Sequence, residues 1–153
     1  RQMCIRDRAP SDARARARVD AILDSTKRFV MPVDATVNIR QGNRFEEEKA
    51  EALKKMPEML VPFLRELEQS GGPFFLGASP TICDFAFFHH LDLMLQLDTA
   101  LCDQHSILRH FHGAMMALPG VNGYLGSRPP LTGVGTDPHI EINGVPTPTM
   151  AGR

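Results

Sequence analysis

The chain has 153 residues, a length that suits one domain able to bury about two thirds of its unfolded surface. Its 17 Lys and Arg residues nearly balance its 18 Asp and Glu residues, which argues against broad electrostatic attraction to nucleic acid or to anionic lipid. Three cysteines without CxxC spacing argue against a disulfide framework and a four-cysteine zinc site, and no apolar stretch approaches the roughly 20 residues that span a bilayer. We therefore expect a cytoplasmic protein with small neutral or amphipathic partners and no nucleic-acid or membrane partner.

The first residues of the chain are unusual. The chain opens on Arg1 rather than Met, and the string QMCIRDR resembles the translation of sequencing-adapter DNA. We therefore interpret residues 1–8 as a non-native leader. On this interpretation the natural N-terminal part of the protein is missing.

The first predicted helix runs from about residue 11 to residue 30. Its apolar residues recur at spacings of three, four and seven and so share one helical face: Val19, Ile22, Leu23, Phe29 and Val30. Arginines at alternate positions precede this face, but interleaved aspartates favour a solvated helix end over a nucleic-acid-binding arm. Pro32 disfavours helical geometry in the residue before it, so we expect the helix to end near Met31.

A second helical pattern follows a turn predicted at Gly42 and Asn43. Its apolar positions have helical spacing: Phe45, Ala52, Leu53, Met56, Leu60, Phe63, Leu64 and Leu67. Pro57 and Pro62 each remove a backbone donor within this pattern. We therefore predict either a kink near residue 56 or two abutting helices, followed by the breaker SGGP.

The stretch SPTICDFAFFHHLD places two polar residues in front of an apolar run. Thr81 and Asp84 have the spacing of a capping box, in which the hydroxyl accepts from the amide of residue 84 and the carboxylate accepts from the amide of residue 81. From Ile82 to Leu97, large apolar residues fall on nearly every side of a helix, which predicts a central helix enclosed by others. No second acid or His is spaced to pair with Asp84 as a catalytic carboxylate, so we interpret the box as structural.

Another helix is predicted over about 104–117, stopped by Pro119 and Gly120, and a short turn then reaches Pro129. Beyond that point the composition shifts to Pro, Gly and Thr, so residues 131–153 are predicted to form an irregular tail that is extended or flexible. Within this tail, HIEINGV alternates weakly and could pair as a short strand.

Histidines and cysteines were weighed as sites of chemistry. His110 and His112 point to nearly opposite sides of a helix, and the adjacent His89 and His90 diverge by about 100°. Neither pair makes a metal-binding face, so no metal site is predicted. Cys83 stands in the first turn of a helix, where the dipole favours a reactive thiolate, but its apolar neighbours favour a buried structural thiol.

Several segments together carry a family resemblance. FFLGASPTICDFAFFHHLD, followed by LPGVNGYLGSRP, resembles the C-terminal helical domain of cytosolic glutathione transferases, most like the sigma class. RVDAILDSTKRF and MPEMLVPFLRELEQSGGPFFLG also match that class, so the resemblance covers about residues 14–130. It implies an all-α, multi-helix bundle over residues 9–130, whose central helix begins at the capping box.

The resemblance also implies a function. In such enzymes this domain forms the wall of the hydrophobic co-substrate pocket and part of a dimer interface, whereas the glutathione site and the activating hydroxyl belong mainly to a thioredoxin-like N-terminal domain. No βαβ pattern precedes Ser11, so the resemblance implies an inactive fragment without that domain. The implied parent is a homodimer that conjugates or isomerises small hydrophobic electrophiles, with glutathione as co-substrate.

Four residues match pocket-wall positions of the family. They are Val30 on the first helix and Ala86, His90 and Leu93 on the central helix, where spacings of four and three place the last three on one face. Ordinary core positions share this periodicity, so that alternative stays open. No catalytic residue is expected in the fragment.

Two departures from the family pattern keep other functions open. In the sigma-like first helix, an acidic residue three or four positions after the match to Asp24 helps to hold glutathione, and here those positions are Lys27 and Arg28. The chain also continues to Arg153, beyond the usual end of the family. The alternatives are a non-catalytic, glutathione-transferase-like structural or assembly module, which the missing acid favours, and a helical ligand-binding bundle with no link to glutathione.

Overall fold

A computed structural model describes residues 10–37, 45–127, 132–133, 139–142 and 145–148, with side chains described for residues 10–29, 45–127, 145 and 147. The helices in these ranges are α1 (Ala13–Val37), α2 (Phe45–Ser70), α3 (Ile82–Leu95), α4 (Leu101–Gln104), α5 (Ser106–Met116) and α6 (Pro119–Ser127). Helix α3 packs against α1 and α5, and α2 packs against the same two helices, so these four form the bundle. The all-α fold class predicted from the sequence is confirmed.

Helix α3 is enclosed as its apolar pattern predicts. The ring of Phe87 is fully buried and lies 4.5 to 5.4 Å, between centroids, from four other rings. These rings come from α1, α2, α5 and the loop before α3: Phe29, Phe63, Phe111 and Phe75. Within α3 itself, His89 is the sole residue that is exposed rather than buried or half-buried. The core of the bundle is therefore built around one aromatic side chain of the central helix.

The two long helices continue through their prolines. Helix α1 extends to Val37 instead of ending near Met31, so the predicted boundary at Pro32 is wrong. Helix α2 is one helix through Pro57 and Pro62, not two abutting ones. Both prolines of α2 are exposed, so the carbonyl groups that lose a helical partner there can be solvated, which lowers the cost of keeping the helix intact.

The segment after α5 is helical rather than a turn. Pro119, expected to act as a stop, is the first residue of α6, a position where the missing N–H would have no helical partner in any case. The amides of Val121 and Asn122 donate to the carbonyl of Leu118 at 3.0 and 2.9 Å. The prediction of a short turn over these residues is therefore wrong, because a proline stops only a helix that precedes it.

Beyond α6 the described residues contain three short strands: β1 (Thr132–Gly133), β2 (His139–Ile142) and β3 (Val145–Pro148). They form an antiparallel sheet in the order β1-β2-β3, with Ile142 paired to Val145. The pairing that HIEINGV left open is present, and it gives regular structure to part of a tail predicted to be irregular. Among the described helices, none combines the length and the apolarity needed to cross a membrane.

Candidate functional site around the central helix

The N-terminus of α3 is organised by one carboxylate. Thr81 and Asp84 form the predicted capping box, and the N–H of Thr81 donates to Oδ2 of Asp84 at 2.7 Å. The amide of Asp84 donates to the carbonyl of Thr81 at 3.0 Å, while the Thr81 hydroxyl donates to Oδ2 of Asp84 at 2.8 Å. This second role of the hydroxyl, as a donor to the carboxylate, was not part of the predicted box.

The other oxygen of Asp84 reaches the loop that precedes α3. The N–H of Phe75 donates to Oδ1 of Asp84 at 2.8 Å. That loop is closed on itself, because Phe74 and Gly77 exchange backbone hydrogen bonds of 3.1 and 3.0 Å. Gly72 fits against it since a Cβ there would lie 2.5 Å from the backbone of Gly77. The carboxylate therefore joins the loop to the first turn of the central helix.

Burial governs the titration of the groups at this cap. Burial raises the pKa of Asp84, and the hydrogen bonds from Phe75 and Thr81 oppose that rise. Burial also raises the pKa of the Cys83 thiol to about 12, and its Sγ lies 3.2 Å from Oγ1 of Thr81. A thiol with so high a pKa holds almost no thiolate at neutral pH, so the geometry supports the structural interpretation of Cys83.

The predicted pocket-wall residues of α3 share a half-buried face. Ala86, His90 and Leu93 are all intermediate in exposure, and Leu93 packs against the core. The ring of His90 lies 5.3 Å from that of His89, between centroids. Val30 lies in α1, which contacts α3, but its side chain falls outside the described residues. The face exists as predicted, and its role as a pocket wall stays a prediction.

A cleft that the sequence analysis missed lies between α3 and α6, and we name it the α3/α6 cleft. Its volume is about 440 Å³. The residues that line it are Phe85, Phe88, His89, Asp92, Gly120, Val121, Tyr124 and Leu125. The α3 members recur at spacings of three and four, which is a helical-face signal, but their partner was hidden because α6 was expected to be a turn.

A second, more open cleft lies between α1 and α2, and an ion pair crosses these helices beside it. Nε and Nη2 of Arg18 donate to Oε2 of Glu66 at 2.9 and 2.7 Å. Both side chains are more than a third exposed, so this pair contributes little to stability. Among the described residues, no group of three His, Cys, Asp or Glu side chains is placed to hold a metal ion.

Comparison with known proteins identifies the family. Residues 33–128 match the family described as "Glutathione S-transferase, C-terminal domain". The chain belongs to this family. The match includes α2 to α6 and therefore both the Asp84 cap and the α3/α6 cleft. A comparison with curated proteins found no match.

Solved glutathione S-transferases share the fold. The Pi-class enzyme of Onchocerca volvulus superposes with a TM-score of 0.71 at 21% identity, covering 80% of this chain and 59% of that one. The structure of NaGST-2 gives 0.68 at 20% identity, covering 80% of this chain and 61% of that one. An orthorhombic form of NaGST1 gives 0.70 at 20% identity, covering 80% and 62%. The chain thus spans less than two thirds of the length of these structures.

The family position occupied by Lys27 is built differently here. Nζ of Lys27 lies 2.7 Å from Oδ1 of Asp24, one helical turn earlier, in an exposed ion pair. The hydrogen bond and charge of Lys27 hold the pKa of Asp24 below its usual value. The carboxylate on this part of α1 is therefore paired with a cation of its own helix.

Proposed function

We propose that the chain is the co-substrate-pocket domain of a sigma-like glutathione transferase, separated from a thioredoxin-like N-terminal domain. The parent conjugates glutathione to small, apolar electrophiles, or isomerises such compounds, by holding the thiolate and the electrophile side by side. The observation that carries this proposal is the family match over residues 33–128. The sigma-like class rests on the segments quoted above, and the coverage of about three fifths of the solved enzymes is consistent with a missing domain.

In this proposal, α3 supplies one wall of the pocket. Ala86, His90 and Leu93 form an apolar face with one polar group, and Val30 extends it on α1. Half-buried positions suit this role, because a pocket wall must be covered by neighbouring elements and still reach a ligand. The Asp84 cap fixes where the face begins, so its function is to position the wall and not to transfer protons. The parent is cytoplasmic and homodimeric.

A non-catalytic structural or assembly module is the second candidate. The specific observation in its favour is the basic pair Lys27 and Arg28 at positions where the sigma-like class has an acid that helps to hold glutathione. With Lys27 paired to Asp24, this part of α1 offers no spare carboxylate for the glutathione amino group. A protein of this kind would keep the fold and lose the reaction.

The reading frame upstream of the chain separates these candidates. We expect it to encode a thioredoxin-like domain with an early Tyr or Ser, and the full-length product to bind immobilised glutathione and to conjugate 1-chloro-2,4-dinitrobenzene. The 153-residue chain alone should show no conjugation. A full-length product that binds glutathione without turnover would favour the non-catalytic module. Conjugation by the isolated chain would overturn the proposed division of labour.

A further inference from the structure

The α3/α6 cleft is separate from the proposed pocket wall. On α3, the cleft uses Phe85, Phe88 and Asp92, whereas the wall uses the face of Ala86 and Leu93. With 3.6 residues per turn, the centres of these two faces are about 100° apart around the helix. A ligand in the cleft would therefore not occupy the wall, and the two surfaces can be tested independently.

The cleft has an ordered aromatic floor and an accessible aromatic rim. Phe88 is 6% exposed, and its ring packs 5.5 Å from that of His112 on α5, between centroids. Tyr124 on α6 is 57% exposed, one of the few large hydrophobic side chains of the described residues that remain in water. Val121 and Leu125 complete the apolar lining. A volume of about 440 Å³ lies within the range of small-molecule sites.

The charge of the lining has one sign. Asp92 is half-buried and carries a formal negative charge, and no Lys or Arg is among the described residues that line the cleft. Two imidazoles are near: His89 in the lining and His112 behind Phe88. Burial lowers the pKa of His112, although the charge of Asp92 opposes this, so the neutral imidazole is favoured at pH 7. The cleft therefore presents aromatic faces beside an anion.

We propose that the α3/α6 cleft is a binding site for small aromatic amines in their cationic form. The ring of the ligand packs against Phe85, Phe88 and Leu125, and the ammonium group lies towards Asp92 and the face of Tyr124. Aromatic faces attract cations electrostatically, and a partly desolvated carboxylate strengthens the same preference. An anion of the same size would meet the charge of Asp92 without compensation. The site is thus selective for charge as well as for apolar area.

A matched set of naphthalene compounds tests this proposal: 1-naphthylmethylamine, 1-naphthylmethanol and naphthalene-1-sulfonate. Each is titrated into the 153-residue chain by calorimetry at pH 7, with tyrosine emission as a local reporter, because Tyr124 is the single Tyr and the chain has no Trp. We expect the amine to bind about tenfold more tightly than the alcohol, with quenching of Tyr124, and the sulfonate to bind most weakly.

Variants locate the preference. Asp92→Asn should lower the affinity for the amine about tenfold and leave the alcohol unchanged, whereas Asp20→Asn, the same change at an exposed site on α1, should alter neither. Val121→Phe, which fills the cleft, should weaken the amine and the alcohol together and so tests the site even if Asp92→Asn fails to fold. Equal affinity for the three ligands, or no binding at about 1 mM, would overturn the proposal. So would amine binding that Asp92→Asn and Val121→Phe leave unchanged.

Discussion

The backbone N–H of Phe75 and the carboxylate of Asp84 are joined by a buried hydrogen bond of 2.8 Å. The sequence predicts Asp84 as one half of a local cap, and the structure gives the same carboxylate a second, non-local task. It accepts from Thr81 on one oxygen and from the loop on the other. Since Phe75 also packs against Phe87, this bond fixes the loop, the cap and the aromatic core relative to one another.

Removal of the Asp84 carboxylate should destabilise the whole domain. Asp84→Ala leaves the N–H groups of Phe75 and Thr81 buried without their acceptor, so we expect the free energy of unfolding to fall by about 2–5 kcal/mol. Urea unfolding followed by circular dichroism measures this change. Asp20→Ala, at an exposed position of α1, should stay within about 0.5 kcal/mol of the wild type. Equal stability of the wild type and Asp84→Ala would show that the cap contributes nothing.

The raised pKa of Asp84 makes its contribution depend on pH. The folded pKa lies above the ordinary value of 3.8, so the folded state binds the proton more tightly than the unfolded state does. The stabilisation by protonated Asp84 is complete below about pH 4 and is lost as the pH rises through the folded pKa. Asp84→Asn, which cannot ionise, should therefore gain stability relative to the wild type over that rise.

This linkage is measured as the difference in unfolding free energy between Asp84→Asn and the wild type from pH 3 to pH 7. Other carboxylates titrate alike in both proteins and cancel in the difference. A difference that moves in the opposite direction, with the wild type gaining on Asp84→Asn as the pH rises, would mean that the hydrogen bonds from Phe75 and Thr81 outweigh burial.

The Cys83 thiol should be inert in the folded protein. Its pKa of about 12 and its burial keep it protonated and out of reach, whereas Cys102 is half-buried with a raised pKa. Iodoacetamide at pH 8, with labelling read for each peptide by mass spectrometry, should modify Cys102 slowly and Cys83 only after unfolding. Labelling of native Cys83 at the rate seen in urea would contradict the buried cap.

Phe87 should be the most costly core residue to truncate. Its ring contacts four other rings, so Phe87→Ala opens a cavity at the junction of α1, α2 and α5, and we expect a loss of about 3–5 kcal/mol. Tyr124→Ala removes an aromatic ring that is 57% exposed and should cost under about 1 kcal/mol. The two variants are compared by urea unfolding. A similar cost for both would contradict the central position of α3.

The sequence predicted what local chemistry decides. The 3.6-residue periodicity of α1, α2 and α5 and the three-residue spacing of Thr81 and Asp84 are each contained in a short window, and the structure has all of them. Features that depend on distant packing were missed. The bond from Phe75 to Asp84 requires the loop to fold back, and the α3/α6 cleft requires α6, whose glycines and Pro119 gave a turn-like signal.

The strands of the tail had a local signal that received too little weight. Asn143 and Gly144 stand between the segments that form β2 and β3, and this dipeptide favours a tight hairpin. The boundary at Pro32 was misjudged in the opposite direction, because a strong local rule was applied to a helix that continues. The pocket-wall face on α3 was predictable as a face, but periodicity does not distinguish a wall from a core.

The most direct test of the co-substrate-pocket assignment uses two matched variants of the full-length parent. Ala86 lies on the proposed wall of α3, and Ala114 is an equally half-buried alanine on α5. Steady-state kinetics should show that Ala86→Leu changes the KM for 1-chloro-2,4-dinitrobenzene several-fold with the KM for glutathione unaltered, while Ala114→Leu changes neither. Equal effects of the two variants, or an effect of Ala86→Leu on glutathione alone, would contradict the assignment.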